Sequence, residues 1–364
     1  MTTHETPEPP STLELACPTC ASQLRFAPGT THLTCVRCGT TTAIEVRTGP
    51  ALVEQPYDEW ERDNDGRQVS SLGGVVLTCE GCHATTESAA LASICQFCRG
   101  HLVPVTQPDG VVPPSGVLPF LIDRRQATDA FVAWVNDRDV GVDELKNVNA
   151  AESFTSTYLP LWTFSATATT AYEGQRGIRK AVRLDDGRVE LRADWHDVSG
   201  SVDTPITSHV VEGRDLGIGQ SRIVRKLDLT ATVPFQPEYL AGHTATRYDV
   251  DPAAALDEVR RKVEKRRVRN DVRDDIGGDE TRIASTATTY SDVRFALLLA
   301  PLWVLTYIAG GKTWMVLVDG RTGQVEGEYP IDRVKFTLLV FKWIAILVLG
   351  FVALISLPTI LDSL

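Results

Sequence analysis

Eight cysteines fall into two groups of four, and their spacing is the strongest chemical signal in the chain. Cys17, Cys20, Cys35 and Cys38 form two Cys-x-x-Cys pairs with fourteen residues between them; Cys79, Cys82, Cys95 and Cys98 repeat the pattern with twelve. Zinc takes four soft ligands in a tetrahedron, and one Cys-x-x-Cys turn supplies two of them from a tight knuckle whose backbone N–H groups donate to the thiolates. Pro18, Gly39 and Gly100 suit such turns. The spacing therefore predicts two structural Zn2+ ions, each closed by four thiolates, in small ribbons that rely on the metal in place of a large core. A thioredoxin-type reading wants a single pair opening a helix in a βαβ unit, and neither quartet has that context. Disulfides fit poorly, because the first fifteen residues are polar and proline-rich with no apolar run.

Four thiolates leave no coordination position for water, so the metals are read as structural and the protein as no enzyme. The stretch "ADWHDVSG" does offer His196, Asp197 and Ser199. Adjacent strand residues point to opposite faces, however, and no strained nucleophile turn is evident. His32, His83 and His101 lie near the knuckles as outer-shell or solvated groups. No phosphate-binding loop of the Gly-x4-Gly-Lys-Ser/Thr type is present, and no small-molecule substrate is indicated.

Composition bounds the rest. The 364 residues are 43% hydrophobic and 23% charged, enough for a full core beyond the ribbons. The formal charge of −11 becomes about −15 once two four-thiolate zinc sites are counted. That balance argues against general affinity for nucleic acid. One helix runs the other way: residues 251–271 gather Arg260, Arg261, Lys262, Lys265, Arg266, Arg267 and Arg269. A solvated face is the first reading of this cluster, contact with anionic lipid the second, and nucleic acid the third.

These patterns divide the chain into a leader (1–15), a first zinc ribbon (16–48), an acidic linker (49–70), a second ribbon (71–105), a turn-rich linker (106–116) and an α+β domain (117–332). Within that domain a duplication is predicted, 117–175 against 244–330. In each copy an apolar strand ends at a helix-capping aspartate, Asp123 or Asp251, and a later strand carries Pro-Leu-Trp, ending at Trp162 or Trp303. The strands are read as mostly antiparallel. Residues 295–311, interrupted by Pro301, read as a core strand. Residues 336–357 form a run of 22 with a single charge, Lys342. At about 1.5 Å per residue it would span about 33 Å, and Arg333 and Lys335 before it would keep the large amino-terminal part cytoplasmic. The prediction is a tail-anchored, single-pass protein of the cell membrane.

The cysteine quartets, "LPF" at 118–120, "YLPLW" at 158–162, "PEYLAGHTATRY" at 237–248 and "VLVDGRTGQVEGEYP" ending at Pro330 together resemble bacterial transcription factor IIB-type zinc-ribbon membrane proteins. The resemblance covers nearly the whole chain. It implies a non-enzymatic, membrane-attached protein, encoded in some bacteria near phage-shock and SPFH-type membrane-stress proteins. The hairpin around Asp319 also looks like the tail of a PepSY-type module. The functional expectation is a membrane-tethered adaptor whose ribbons bind a cytoplasmic protein; its rival is a membrane-associated nucleic-acid-binding regulator that uses the basic helix.

Overall fold

A computed structural model describes residues 16–45, 50–63, 75–79, 85–88, 102–104, 112–138, 154–186, 188–214, 217–309 and 312–361. The amino-terminal three-stranded sheet, β1 (Leu24–Phe26), β2 (His32–Cys35) and β3 (Thr41–Ala43), is antiparallel throughout. Everything else is organised by two thirty-residue strands, β9 (Phe154–Arg183) and β13 (Glu280–Ala309), paired antiparallel along most of their length. β10 (Val189–Glu212) covers the other side of β9, and β14 (Lys312–Asp319) with β15 (Val325–Gly327) extends β13.

The two long strands share a local symmetry. They face each other across Leu159 and Ala300, and a half-turn about that pair carries Pro160 onto Pro301 and Trp162 onto Trp303. Two short strands obey the same rotation. β8 (Gly116–Val117) pairs in parallel with Leu298 and Leu299 of β13, and β12 (Thr244–Thr246) pairs in parallel with Thr157 and Tyr158 of β9. A helix follows each: α2 (Arg124–Asn136) after β8 and α4 (Pro252–Val263) after β12. Asp123 caps the first in a reciprocal capping box with Gln126, and Asp251 caps the second by accepting from the Ala254 N–H. Each short strand thus pairs with the long strand that follows the other one in sequence.

The sheet bends at one level. β10 slips register between Ile206 and His209, β13 between Ser291 and Arg294, and both breaks lie opposite residues 164–167 of β9. Ser208 and Asp292 take positive φ there, 43° and 51°, and an extra residue in each outer strand turns it. Ser165 holds the bend: its hydroxyl accepts from the Ser208 N–H at 3.0 Å and donates to Glu54 at 3.0 Å. On one side of the bend, residues 154–164 and 295–305 are mostly buried on both faces, which explains why 295–305 reads as an unbroken apolar run rather than an alternating one. Beyond it, one face is covered by α4, a widened π turn (Glu264–Val268) and α5 (Arg269–Ile276), with Val259, Val263, Val268, Val272 and Ile276 pointing in.

Two segments depart from the sequence reading. Part of the acidic linker is folded: β4 (Gln55–Pro56) pairs with β13, and in α1 (Tyr57–Asp63) both Tyr57 and Trp60 pack on Phe295, at 5.7 and 5.2 Å. An i, i+3 aromatic pair on one helix face supplies enough apolar surface to dock an otherwise charged segment. The terminal segment needs a larger correction. It is helical, as α6 (Arg333–Leu361), but among the described residues no helix is long and apolar enough to cross a membrane. Its first ten residues carry three charges, Arg333, Lys335 and Lys342. The transmembrane, single-pass and tail-anchored reading of 336–357 is therefore overturned, and with it the placement at the cell membrane. The α+β description is corrected as well, because strands hold 45% of the described residues and helices 28%; the sheet dominates.

Candidate metal centre

The first quartet is assembled by two knuckles with matching backbone. In each, the N–H of the fourth residue after the leading cysteine donates to that cysteine's carbonyl, Ala21 to Cys17 at 2.8 Å and Gly39 to Cys35 at 3.1 Å. Both closing residues take left-handed φ, 55° and 73°, which glycine accepts freely and alanine at some cost. The next carbonyl binds back: Cys17 N–H donates to Ser22 and Cys35 N–H to Thr40, at 2.7 and 2.9 Å. Two knuckles of one shape, set at the end of β1 and β2, turn four side chains toward a common point.

The sulfurs meet there. Cys17–Cys38, Cys20–Cys35 and Cys20–Cys38 are each 3.5 Å apart, and all four Sγ atoms lie within 4.8 Å of one another. A tetrahedral ion with metal–sulfur bonds of ~2.3 Å requires sulfurs ~3.8 Å apart, so the cluster fits a single metal ion. Backbone donors serve the thiolates as well, Thr19 N–H to Cys17 and Arg37 N–H to Cys35, both at 3.4 Å. Thr40 is a participant that the cysteine spacing does not reveal. Its hydroxyl lies 3.1 Å from Cys38 Sγ and 3.1 Å from Thr19 Oγ1, joining the two knuckles. That side chain, followed by the Thr40 backbone, draws the Cys38 thiol down to about 6, which favours the thiolate a metal needs.

The cysteine-bearing hairpins are part of the body and do not hang from it. Phe26 N–H donates to the Ala241 carbonyl and Gly29 N–H to the Phe120 carbonyl, both at 2.9 Å, while Gln236 Nε2 donates to the Glu45 carbonyl at 2.8 Å. Behind these bonds Phe26 meets Tyr239 edge-on at 5.3 Å, and His243 stacks on Phe120 at 4.4 Å. Leu24, Phe26, Leu33 and Cys35 therefore share one core with Phe120, Tyr158 and Trp303. Tyr239 and His243 belong to the quoted "PEYLAGHTATRY" motif, whose purpose is invisible in sequence and is here the seat of the ribbon. His243 is only half-buried as a residue, yet both its ring nitrogens are closed off and without a hydrogen-bond partner among the described residues. Since the nitrogens set proton affinity, its depression to about 3, caused first by burial and then by Arg25, follows.

Of the second quartet, Cys79 closes strand β5 (Val75–Cys79); its side chain and Cys82, Cys95 and Cys98 lie outside the described residues, as do His83 and His101. His32 sits on β2 and is not part of the thiol cluster. His196 and Asp197 form no triad: His196 lies 3.5 Å from Asp194, whereas Asp197 accepts from Gln175 at 2.8 Å on the opposite face. In the basic cluster Arg260 bonds Asp257 at 3.3 Å and lies over Tyr290, and Lys262 pairs with Glu258 at 2.5 Å. Arg261, Lys265, Arg266, Arg267 and Arg269 are exposed.

No protein family matches the chain, and no solved structure matches it. It is similar to a Bacillus subtilis (strain 168) protein called uncharacterized protein YdjG, with 22% identity over 335 residues, 88% of this chain and 90% of that one.

Proposed function

We propose that the protein is a non-enzymatic zinc-ribbon adaptor, in which metal holds a rigid surface for a protein partner. The observation that carries this reading is the closed set of four thiols. Four sulfur ligands suit zinc and leave it no open position for substrate. One side of the ribbon is buried against the sheet, so the free side is the knuckle tips, where Pro18, Thr19, Val36 and Arg37 are exposed and Val36 shows 56% of its surface. Metal ligation fixes the backbone of both tips, which lowers the ordering cost of binding there.

The reading includes a second zinc ion at Cys79, Cys82, Cys95 and Cys98, and strand register supports it. In the first ribbon Leu24, four residues after Cys20, stands opposite Cys35, and Thr34 stands opposite Thr41. In the second, Leu102 of β7 (Leu102–Pro104), four residues after Cys98, stands opposite Cys79, and Thr78 stands opposite Thr85 of β6 (Thr85–Ser88). The strand orders β1-β2-β3 and β7-β5-β6 correspond. The strand pairing of the first ribbon is thus repeated with its chain order permuted, as a ribbon would have it in which the Cys-x-x-Cys pair that is second in the first ribbon comes first.

A photo-crosslinker placed at Arg37 tests the adaptor reading. The expected result is one protein partner, competed away by unlabelled protein and lost in Val36→Asp with zinc content unchanged. Retention of the partner in both Val36→Asp and Cys17→Ser would contradict it. The exposed row Arg261, Lys265, Arg266, Arg267 and Arg269 favours a second reading, a nucleic-acid-binding regulator. That reading requires salt-dependent retention of DNA or RNA that is abolished when Arg261, Arg266 and Arg267 are neutralised.

A further inference from the structure

Beyond Gly177 the sheet narrows to a two-stranded arm. β13 begins opposite Gly177, and only residues 178–183 of β9 and 189–194 of β10 continue. The outer edge of β9 is blunted here by Asp279 and Glu280, which bond the Arg179 N–H at 2.7 Å and its guanidinium at 3.1 Å. The outer edge of β10 is different. Among the described residues β10 pairs with β9 alone, and this open edge carries Val189 and Leu191 at 62% and 66% exposure. An unpaired edge with apolar side chains is a template for another strand.

From the pattern along that edge we infer that β10 pairs antiparallel with β10 of a second copy of this chain, the two-fold axis passing through Ala193. Residues 189–197 then face each other over about 30 Å. On one face Leu191 meets Trp195 of the other copy, twice, around a pair of alanines small enough for close approach. On the other face Arg192 meets Asp194 and Glu190 meets His196, again twice. The register is selective: moving the axis to residue 192 sets Arg192 against its own copy and Glu190 against Asp194, and moving it to residue 194 sets Asp194 against itself. Like charges directly opposed on a sheet are unfavourable.

The lone arm holds a conflict that this pairing relieves. Arg192 stands directly opposite Lys180 in the β9–β10 register. Its own neighbour Glu190 takes it at 2.8 Å, while Lys180 reaches diagonally to Asp194 at 2.5 Å. A second copy brings a further carboxylate, its Asp194, to Arg192, so that the cations on this face alternate with anions across both arms. Trp195, partly buried under the Arg282 guanidinium at 3.7 Å, is held in place to receive the leucine.

Sedimentation of the full chain across a concentration series tests the pairing. The expected result is a reversible dimer, weakened about tenfold or more by Arg192→Asp, which sets aspartates against each other. The double swap Arg192→Asp with Asp194→Arg restores the wild-type constant. In addition, Ala193→Cys crosslinks to its own copy on mild oxidation in the presence of zinc, whereas Asp197→Cys, which faces residue 189, does not. A chain that stays monomeric, a dimer indifferent to Arg192→Asp, a double swap that fails to restore it, or equal crosslinking at 193 and 197 would each overturn the inference.

Discussion

Phe26 gives its backbone N–H to the carbonyl of Ala241 at 2.9 Å, and through that bond the cysteine-bearing hairpin joins the rest of the fold. The residue is also the first strand's deepest side chain, facing Tyr239 and His243. Holding the thiols together and seating the ribbon are therefore one event. Stripping the metal with a chelator is expected to release the amides of Phe26 and Gly29 to hydrogen exchange, while amides beside the Thr170–Thr288 hydroxyl contact at 2.9 Å, on the other side of the bend, keep their protection.

Thr40 supports the fourth thiolate. Thr40→Val keeps the shape and removes the hydroxyl that pulls Cys38 down to about 6. Protons compete with metal for sulfur, so the variant is expected to release metal at a higher pH than wild type and to hold it about tenfold less tightly near pH 6. Titration against a colorimetric chelator measures this.

His243 couples stability to acid. Unfolded, its imidazole takes a proton below about 6.5; folded, burial delays that until about 3. Between those values the unfolded chain binds the extra proton, so stability falls as pH falls, by about 1.4 kcal/mol per pH unit from this group. His243→Phe, which keeps the stack on Phe120, is expected to flatten that slope in denaturant melts between pH 6.5 and 5, whereas stability above pH 7 changes little.

Trp162 and Trp303 hold equivalent places on the two long strands. Trp162 donates its indole N–H to the Val250 carbonyl at 2.8 Å and Trp303 to the Ile122 carbonyl at 3.2 Å. Each accepting residue precedes a helix-capping aspartate, Asp251 or Asp123, so each indole ties its long strand to the start of a helix. Replacement by Phe leaves a carbonyl without its donor and a gap beside it. We expect a loss of about 2–4 kcal/mol for Trp162→Phe, which is fully buried, and less for Trp303→Phe.

Close packing at Gly320 gives a sharper check on the same core. A Cβ there would sit 2.5 Å from the Phe120 ring and 2.8 Å from Pro301. Phe120 cannot give way, wedged as it is among Tyr158, His243 and Trp303. Gly320→Ala is expected to cost about 1–3 kcal/mol in thermal or denaturant unfolding.

What could be read in advance was local chemistry. Cysteine spacing located the thiol cluster, since the knuckle brings its own backbone geometry, and Asp123 and Asp251 marked two helix starts because capping depends on the next three residues alone. Long-range partners were not legible. Nothing near Tyr239 or His243 announces that a ribbon two hundred residues earlier will rest on them, and the Ser208 and Asp292 bulges depend on their partner across the sheet. Apolar runs mislead in one direction: hydropathy alone makes residues 336–357 a membrane span, whereas among the described residues no helix is long and apolar enough to cross a membrane.

The metal count tests the account most directly. Elemental analysis of the purified full chain should find two zinc ions per molecule, dropping to one in Cys17→Ser and to one in Cys79→Ser. A single zinc that survives Cys79→Ser, or iron in zinc's place, would contradict it.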